Sequence, residues 1–300
     1  MKTIYHKPVM LEEAIQGLKI DPDGVYVDVT FGGGGHSRAI LQKLSNRGRL
    51  LAFDQDKAAH ENSISDDRFH LIDGNFSNLK RHLKFCGITT VDGILADFGV
   101  SSHQFDSGSR GFSTRLEGPL DMRMNTQSGF TAREVINEYS AEELQQIFKN
   151  YGELRIARKL ANHIVKERAQ NPIKTTQGLV NLLTPTLPKH VFNKIIAQVF
   201  QAIRIEVNAE LDVIKSFLEQ SIEVLHIGGR LVCISYHSLE DRLVKVFIRE
   251  GKFVGKAESD LYGNRNLPMK KVGNLQIPSD EEIKENSRAR SGKLRIAERI

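Results

Sequence analysis

The chain has little of what would place it in a membrane, an oxidising compartment or a metal-centred fold. No apolar run approaches the length of a bilayer span, and the start, Met1-Lys2-Thr3-Ile4-Tyr5-His6-Lys7-Pro8, lacks the hydrophobic stretch of a signal peptide. A cytoplasmic location is therefore expected, with no membrane partner. Only two cysteines occur in 300 residues, Cys86 and Cys233. They show no metal-ligand spacing and sit in apolar surroundings, so they read as small core residues, and no metal is expected. A 40% hydrophobic and 26% charged composition is ordinary for a globular protein, and the length suffices for one large core or a core and a satellite domain.

What is present in excess is glycine at one point. Gly32-Gly33-Gly34-Gly35 lies between Val25-Tyr26-Val27-Asp28-Val29, a short strand by its apolar content, and Ser37 to Leu44, where Ala39, Ile40, Leu41 and Leu44 recur at helical spacing. Strand, glycine turn and helix open a nucleotide-binding βαβ unit, in which missing side chains let a ligand approach the backbone. The strict G-x-G-x-x-G fingerprint is incomplete, because Ser37 stands where its third glycine belongs. The next strand, Arg49-Leu50-Leu51-Ala52-Phe53, nevertheless ends in Asp54, 19 positions after Gly35, where an acid usually takes ribose hydroxyls. Together these point to an adenosine-derived ligand.

Strand-like and helix-like stretches alternate through the first hundred residues, with further strands at Phe69 to Asp73 and Gly93 to Phe98. That alternation implies an α/β fold built on a parallel sheet. From about 106 to 203 the pattern turns helical. Thr131 with Glu134 and Ser140 with Glu143 look like helix starts, and helical periodicity follows at 151–170, 176–183 and 190–204. A helix at 208–225, a Gly228-Gly229 turn and the strand Arg230 to Ser235 restore the α/β rhythm, and 291–298 reads as a late strand pairing beside the segment near Phe253. The expected organisation is a discontinuous α/β domain, 1–105 and 204–300, interrupted by a helical domain, 106–203. The net charge of +5 is unevenly spread: −1 over 1–105, +4 over 106–203, −4 over 204–241 and +6 over 242–300. Excess positive charge on the helical block and the tail suits a polyanionic partner, although a modest basic excess can be merely solvating.

Three acids, Asp28, Asp54 and Asp97, fall at strand ends, where an open α/β sheet gathers its ligands. Phe76, after the third strand, could pack on a flat base or simply join the core. His237, in Tyr236-His237-Ser238-Leu239-Glu240-Asp241-Arg242, could be a base or a hydrogen-bonded structural residue.

Longer motifs carry a family likeness. Phe31-Gly32-Gly33-Gly34-Gly35-His36-Ser37, Gly99-Val100-Ser101-Ser102, Arg110-Gly111-Phe112-Ser113, Pro119-Leu120-Asp121-Met122-Arg123-Met124, Gln201-Ala202-Ile203-Arg204-Ile205, His237 to Arg242 and Ser287 to Arg295 resemble the MraW/RsmH family, from His6 to the C-terminus. The resemblance implies a class I (Rossmann-like) methyltransferase fold with an inserted all-helical domain for recognising RNA. It implies transfer of a methyl group from S-adenosyl-L-methionine to the N4 amino group of one cytidine in the decoding region of 16S rRNA, presented within the small ribosomal subunit, with no DNA partner. It assigns Gly34, Gly35 and His36 to the methionine part of the donor, Asp54 to the ribose, Phe76 to the adenine, and Asp97 and Gln104 to the sulfonium and amino-acid end. No catalytic residue follows from it; Ser101 and His237, with Asp97, are candidate acceptors for the proton leaving the cytosine nitrogen. His103 stands where the family often has proline and Tyr236 where phenylalanine is usual, and the N-P-P-Y motif of many amino-methyltransferases is absent after Asp97. Two rivals share parts of the pattern: a nicotinamide-dependent oxidoreductase, and a non-catalytic RNA-binding ribosome assembly factor.

Overall fold

In the computed structural model, which describes residues 8–127, 129–259, 262 and 265–300, the chain divides into two compact units. One comprises Met1–Gly99 with Leu211–Ile300, the other Val100–Glu210. The residues before Pro8, His6 among them, lie outside the described residues.

The first unit is built on a seven-stranded sheet: β1 Val25–Asp28, β2 Arg49–Asp54, β3 Phe69–Asp73, β4 Val91–Asp97, β5 Leu225–Ser235, β6 Met269–Gln276 and β7 Lys293–Arg299. Their order is β3-β2-β1-β4-β5-β7-β6. The first five strands run parallel, and β7 lies antiparallel between β5 and β6. The chain order reverses between β1 and β4, which makes that crevice the switch point where open α/β sheets bind ligands.

Helices of this unit before the interruption are α1 Leu11–Leu18, α2 Gly35–Leu41, α3 Lys57–His60 and α4 Leu79–Phe85. The second unit holds α5 Ser102–Asp106, α6 Ala132–Glu138, α7 Ala141–Asn150, α8 Ala157–Arg168, α9 Thr176–Leu183 and α10 Phe192–Asn208. The chain then continues through α11 Glu210–Val224, α12 Ser238–Glu250 and α13 Asp280–Glu285.

Alternation along the strands decides how the sheet is covered. Val27, Leu51, Phe53, Ile94, Ala96, Leu231 and Cys233 face one way and pack with Leu79 and Leu83 of α4, Ile214 and Phe217 of α11 and Val244 and Phe247 of α12. Tyr26, Leu50, Leu95, Val232 and Ile234 face the other way and pack with Ala14, Ile15 and Leu18 of α1 and Ile40 and Leu41 of α2. A sheet buried on both faces needs apolar residues at successive positions, which is why these strands read as continuous apolar runs.

Three local expectations change. The late strand β7 pairs with β5 and with β6, a strand the sequence did not reveal, and not with the segment near Phe253; the Phe253 ring stacks on Phe247 instead, 5.2 Å between centroids. Gly228 and Gly229 do not separate a helix from a strand. They lie inside β5, where the register against β4 shifts between Val91 and Gly93 and Gly228 takes φ 89°. The helix expected at 208–225 begins at Glu210, because Ala209 adopts φ 48° and ends α10.

The second unit is helical around its own core, which includes Phe148, Leu160, Leu183 and Phe200. Full capping boxes start α6 (Thr131 and Glu134) and α7 (Ser140 and Glu143), each pairing a side-chain oxygen with an orphan amide in both directions. Several sequence motifs serve this unit as locks. Asn208 accepts from the Met124 amide at 2.7 Å and donates to the Met122 carbonyl at 2.8 Å, while Arg204 grips Glu210 through two bonds of 2.7 and 2.8 Å. Gly111, at φ 74°, leaves no room for a side chain, since a Cβ would lie 2.2 Å from the Pro119 carbonyl.

Candidate active site

The loop from Asp28 to Gly35 is held from beneath by the acid that ends β1. Asp28 is 1% exposed; its carboxylate accepts from the Ser37 hydroxyl at 2.7 Å and the Thr30 amide at 3.1 Å. Burial raises its pKa. Asp28 therefore does not face the crevice as its strand-end position suggested; it ties the loop to the first turn of α2. Ser37, in the third-glycine place of the fingerprint, is wholly buried and is the other half of that tie.

Gly32 and Gly34 take φ 51° and 74°, a region costly for side chains with a Cβ. A Cβ on Gly34 would lie 2.9 Å from the Phe31 ring, and one on Gly35 would lie 2.1 Å from Pro8 Cγ. The glycines thus have packing reasons of their own, beyond leaving backbone bare for a ligand. Arg38 donates to the Gly33 carbonyl at 2.6 Å and Asn62 to the Gly32 carbonyl at 3.2 Å, which fixes the loop's outer edge.

Asp54 ends β2 beside this loop. Its two oxygens accept from the Gly32 amide and the Asp56 amide, both at 2.8 Å. Burial, only partly offset by those amides, pushes its carboxyl up to about 6. Asn75, after β3, donates to Gln55 Oε1, just after β2, at 2.8 Å, which ties the two strand ends together. Phe76 is half-buried, with its ring 5.5 Å from Phe217 and 6.2 Å from Phe98, so it belongs to an aromatic cluster and keeps an accessible edge.

Asp97 ends β4, with its amide donating to Thr30 Oγ1 at 2.7 Å. Its Oδ1 accepts from the Tyr236 hydroxyl at 2.7 Å, and its Oδ2 lies 3.8 Å from His36 Nδ1. Burial pushes this carboxyl up to about 6 against the opposing pull of His36 and the Tyr236 bond, although 21% of the side chain stays accessible. His36 is buried, and its Nε2 lies 3.1 Å from the Val9 carbonyl.

The remaining candidates have structural partners. His237 is the N-cap of α12: its side chain accepts from the Glu240 amide, and the Glu240 carboxylate accepts from the amides of Tyr236 and His237 at 2.7 and 3.2 Å. Of the two roles left open for this histidine, the structural one is thus visible. Two motifs of the likeness meet here as well, for Asp241 accepts two bonds from Arg295, at 2.7 and 3.2 Å. Ser101 and Gln104 belong to the helical unit, where the Ser101 amide donates to Gln104 Oε1 at 3.0 Å and Gln104 is buried. Sequence reasoning missed Thr30, Gln55, Asn75 and the part played by Tyr236; only Tyr236 left a signal, as a departure from the usual residue.

Gly34, Gly35, His36, Asp54, Phe76 and Asp97 thus gather around the carboxyl ends of β1 to β4. Two partly exposed carboxylates, a glycine turn and a half-buried aromatic ring match the chemistry of S-adenosylmethionine, which carries an ammonium and a sulfonium, a ribose diol and a flat base. With the strand order above, the fold and site define a class I S-adenosylmethionine-dependent methyltransferase. More particularly, the chain belongs to the MraW methylase family, whose model matches residues 3–300. It is 59% identical over 296 residues to the ribosomal RNA small subunit methyltransferase H of Christiangramia forsetii, covering 99% of this chain and 98% of that protein. The proteins of the same name from Flavobacterium johnsoniae (58%; 99% and 98%) and Bacteroides thetaiotaomicron (50%; 98% and 97%) are similar over comparable spans. Among solved structures, a putative rRNA-methylase from Clostridium thermocellum aligns with 99% of this chain and 100% of its own at 13% identity and a TM-score of 0.43. Among the described residues no helix is long and apolar enough to cross a membrane.

Proposed function

We propose that this methyltransferase modifies the N4 amino group of one cytidine in the decoding region of small-subunit rRNA, within a small ribosomal subunit in the cytoplasm. The observation that carries the reading is the pair of partly exposed carboxylates, Asp54 and Asp97, flanking the glycine turn at the switch point. The similarity to small-subunit rRNA methyltransferases supports the acceptor.

In this reading Asp54 takes the ribose hydroxyls, Phe76 lies against the adenine, Gly34, Gly35 and His36 line the methionine part, and Asp97 and Gln104 hold its amino-acid end. The bound donor supplies an electrophilic methyl group on a sulfonium. The cytosine amino lone pair is delocalised into its ring, so the chain's own contribution is mainly to orient that nitrogen in line with the methyl group and exclude misaligned poses. The proton released goes to water or to one of Asp97, Ser101 and His237. A base inside a stem cannot reach such a crevice, which favours an exposed rRNA loop as substrate.

Incubation with labelled S-adenosylmethionine and small subunits from cells lacking the enzyme tests the reading. Label mapping to N4 of a single cytidine is expected. Label on another base overturns the cytidine assignment, and donor binding without incorporation overturns the catalytic one.

The helical unit is proposed to grip the rRNA phosphates. Arg158, Asn162 and Lys166, spaced four apart, form one exposed stripe along α8, and Arg155 just before the helix and Lys189 and Lys194 are exposed as well. The paired substitutions Arg158→Glu and Lys166→Glu are expected to weaken subunit binding roughly ten- to a hundredfold and to flatten the slope of log affinity against log salt by about 1.5 to 2. Donor affinity should stay at the wild-type value; an unchanged salt slope would move the RNA contact elsewhere.

A further inference from the structure

Tyr236 directly follows β5, and its hydroxyl reaches the end of β4 to donate to Asp97 Oδ1 at 2.7 Å. Three features fix the ring. Its own amide donates to Glu240 Oε2 at 2.7 Å, which anchors the backbone to α12. Gly99, at φ 101°, presents bare backbone to the ring, where a Cβ would lie 3.3 Å from Cδ2. The ring packs into the apolar cluster that holds Leu95, Val232 and Ile234. The hydroxyl thus arrives at Asp97 with little freedom of its own.

Asp97 lacks that rigidity without it. The terminal torsion of an aspartate is broad and roughly two-fold, so a single neighbour seldom holds the carboxylate plane. Among the described residues, the Tyr236 hydroxyl is the one donor hydrogen-bonded to this side chain; His36 is at 3.8 Å, beyond bonding distance. A carbonyl can only accept, so His36 bonds the Val9 carbonyl through Nε2–H, which leaves its Nδ1 3.8 Å from Oδ2. At that distance the imidazole makes no hydrogen bond to the carboxylate and does not fix its plane.

We propose that Tyr236 is the positioning residue of the donor site: its hydroxyl holds the Asp97 carboxylate in one plane so that Oδ2 meets the donor's α-ammonium. The inference rests on the reading of Asp97 as a donor contact. The groups that bear on the charge of Asp97 are His36 on α2, Asp28 on β1, Tyr236 itself and Glu240 on α12, while Glu282 on α13 acts on Tyr236. A hydrogen bond to the ionised form favours that form, so removing the hydroxyl raises the carboxyl's titration point. Affinity for a cationic donor then begins to fail at a higher pH.

Calorimetric titration of S-adenosylmethionine and S-adenosylhomocysteine into the wild type, Tyr236→Phe, Asp97→Asn and the double variant, from about pH 5 to 8, tests this. Tyr236→Phe should keep its melting temperature, lose about five- to tenfold in donor affinity and raise the donor KM more than it lowers kcat. The acid limb of binding should move up in pH by as much as about one unit. On the Asp97→Asn background the limb should vanish and the loss of the hydroxyl should cost nothing further. Wild-type affinity and an unmoved limb in Tyr236→Phe, with Asp97→Asn impaired, overturn the role of Tyr236 alone. An equal loss on both backgrounds overturns it as well, by showing that the hydroxyl acts elsewhere. Wild-type affinity in Asp97→Asn overturns the underlying reading of Asp97.

Discussion

Replacing Asp97 with alanine is expected to lower affinity for S-adenosylmethionine by about a hundredfold or more, measured by calorimetry. Truncating one member of a buried, hydrogen-bonded charge pair costs about 2–5 kcal/mol, much of it because the surviving charge stays desolvated. In this chain the survivor would be the donor's ammonium. The side chain is mostly buried at the end of β4, so water replaces the lost carboxylate poorly. The fold should change much less. Asp97→Ala strands the Tyr236 hydroxyl, at a cost of about 1–3 kcal/mol, but also relieves the burial of a carboxylate that burial already pushes up to about 6. The variant should therefore fold and fail to bind. Full donor affinity would show that the site lies elsewhere.

Gly34→Ala should be the more damaging change to the protein itself. At φ 74° a Cβ is strained wherever it points, and here it would also lie 2.9 Å from the Phe31 ring, which is buried and packed against Phe69 with 5.5 Å between centroids. The Arg38 guanidinium, 2.8 Å from the same position, can swing away, but the Phe31 ring cannot do so without disturbing its pocket. Together these should cost about 2–4 kcal/mol in urea unfolding, with donor binding lost as the loop is displaced. Gly87 supplies the control. It has nearly the same backbone conformation, φ 72°, and a Cβ there would meet nothing within 4 Å, so Gly87→Ala should show the strain alone, about 1 kcal/mol, and bind the donor normally. Equal losses at the two positions would show that crowding by Phe31 contributes nothing.

Much of the fold could be read locally. The strands around Asp28, Asp54, Asp73 and Asp97 were visible because each is a short apolar run ending in an acid, and α6 and α7 because Thr131 and Ser140 carry their capping partners three residues on. α1 and β6 were not. α1 lacks a side-chain cap, its preceding residue Met10 sitting at φ 51°, and β6 is a largely exposed edge strand, so neither announces itself by pattern. The limits expected for the helical block, 106 and 203, fall inside those of the compact unit, Val100 and Glu210. Nothing in the local pattern marks the polar residues after Gly99, or the last turn of α10, as belonging to one unit or the other.

The candidate site divides in the same way. The amino-acid sequence by itself determined the glycine turn and the acid at each strand end, because each is written in neighbouring residues whose spacing follows the period of a strand or a helix; the likeness to the family rested on its longer motifs. Only the tertiary structure decided what each acid does. Asp28 is withdrawn beneath the loop by Ser37, Asp54 is bound to the turn through Gly32, and Asp97 is met by a tyrosine 139 positions away. Such pairings depend on which strands lie side by side and in what register, and those are set by packing across the whole core. The four glycines show the same split: their run was plain in the sequence, but that Phe31 and Pro8 crowd two of them is a fact of packing alone.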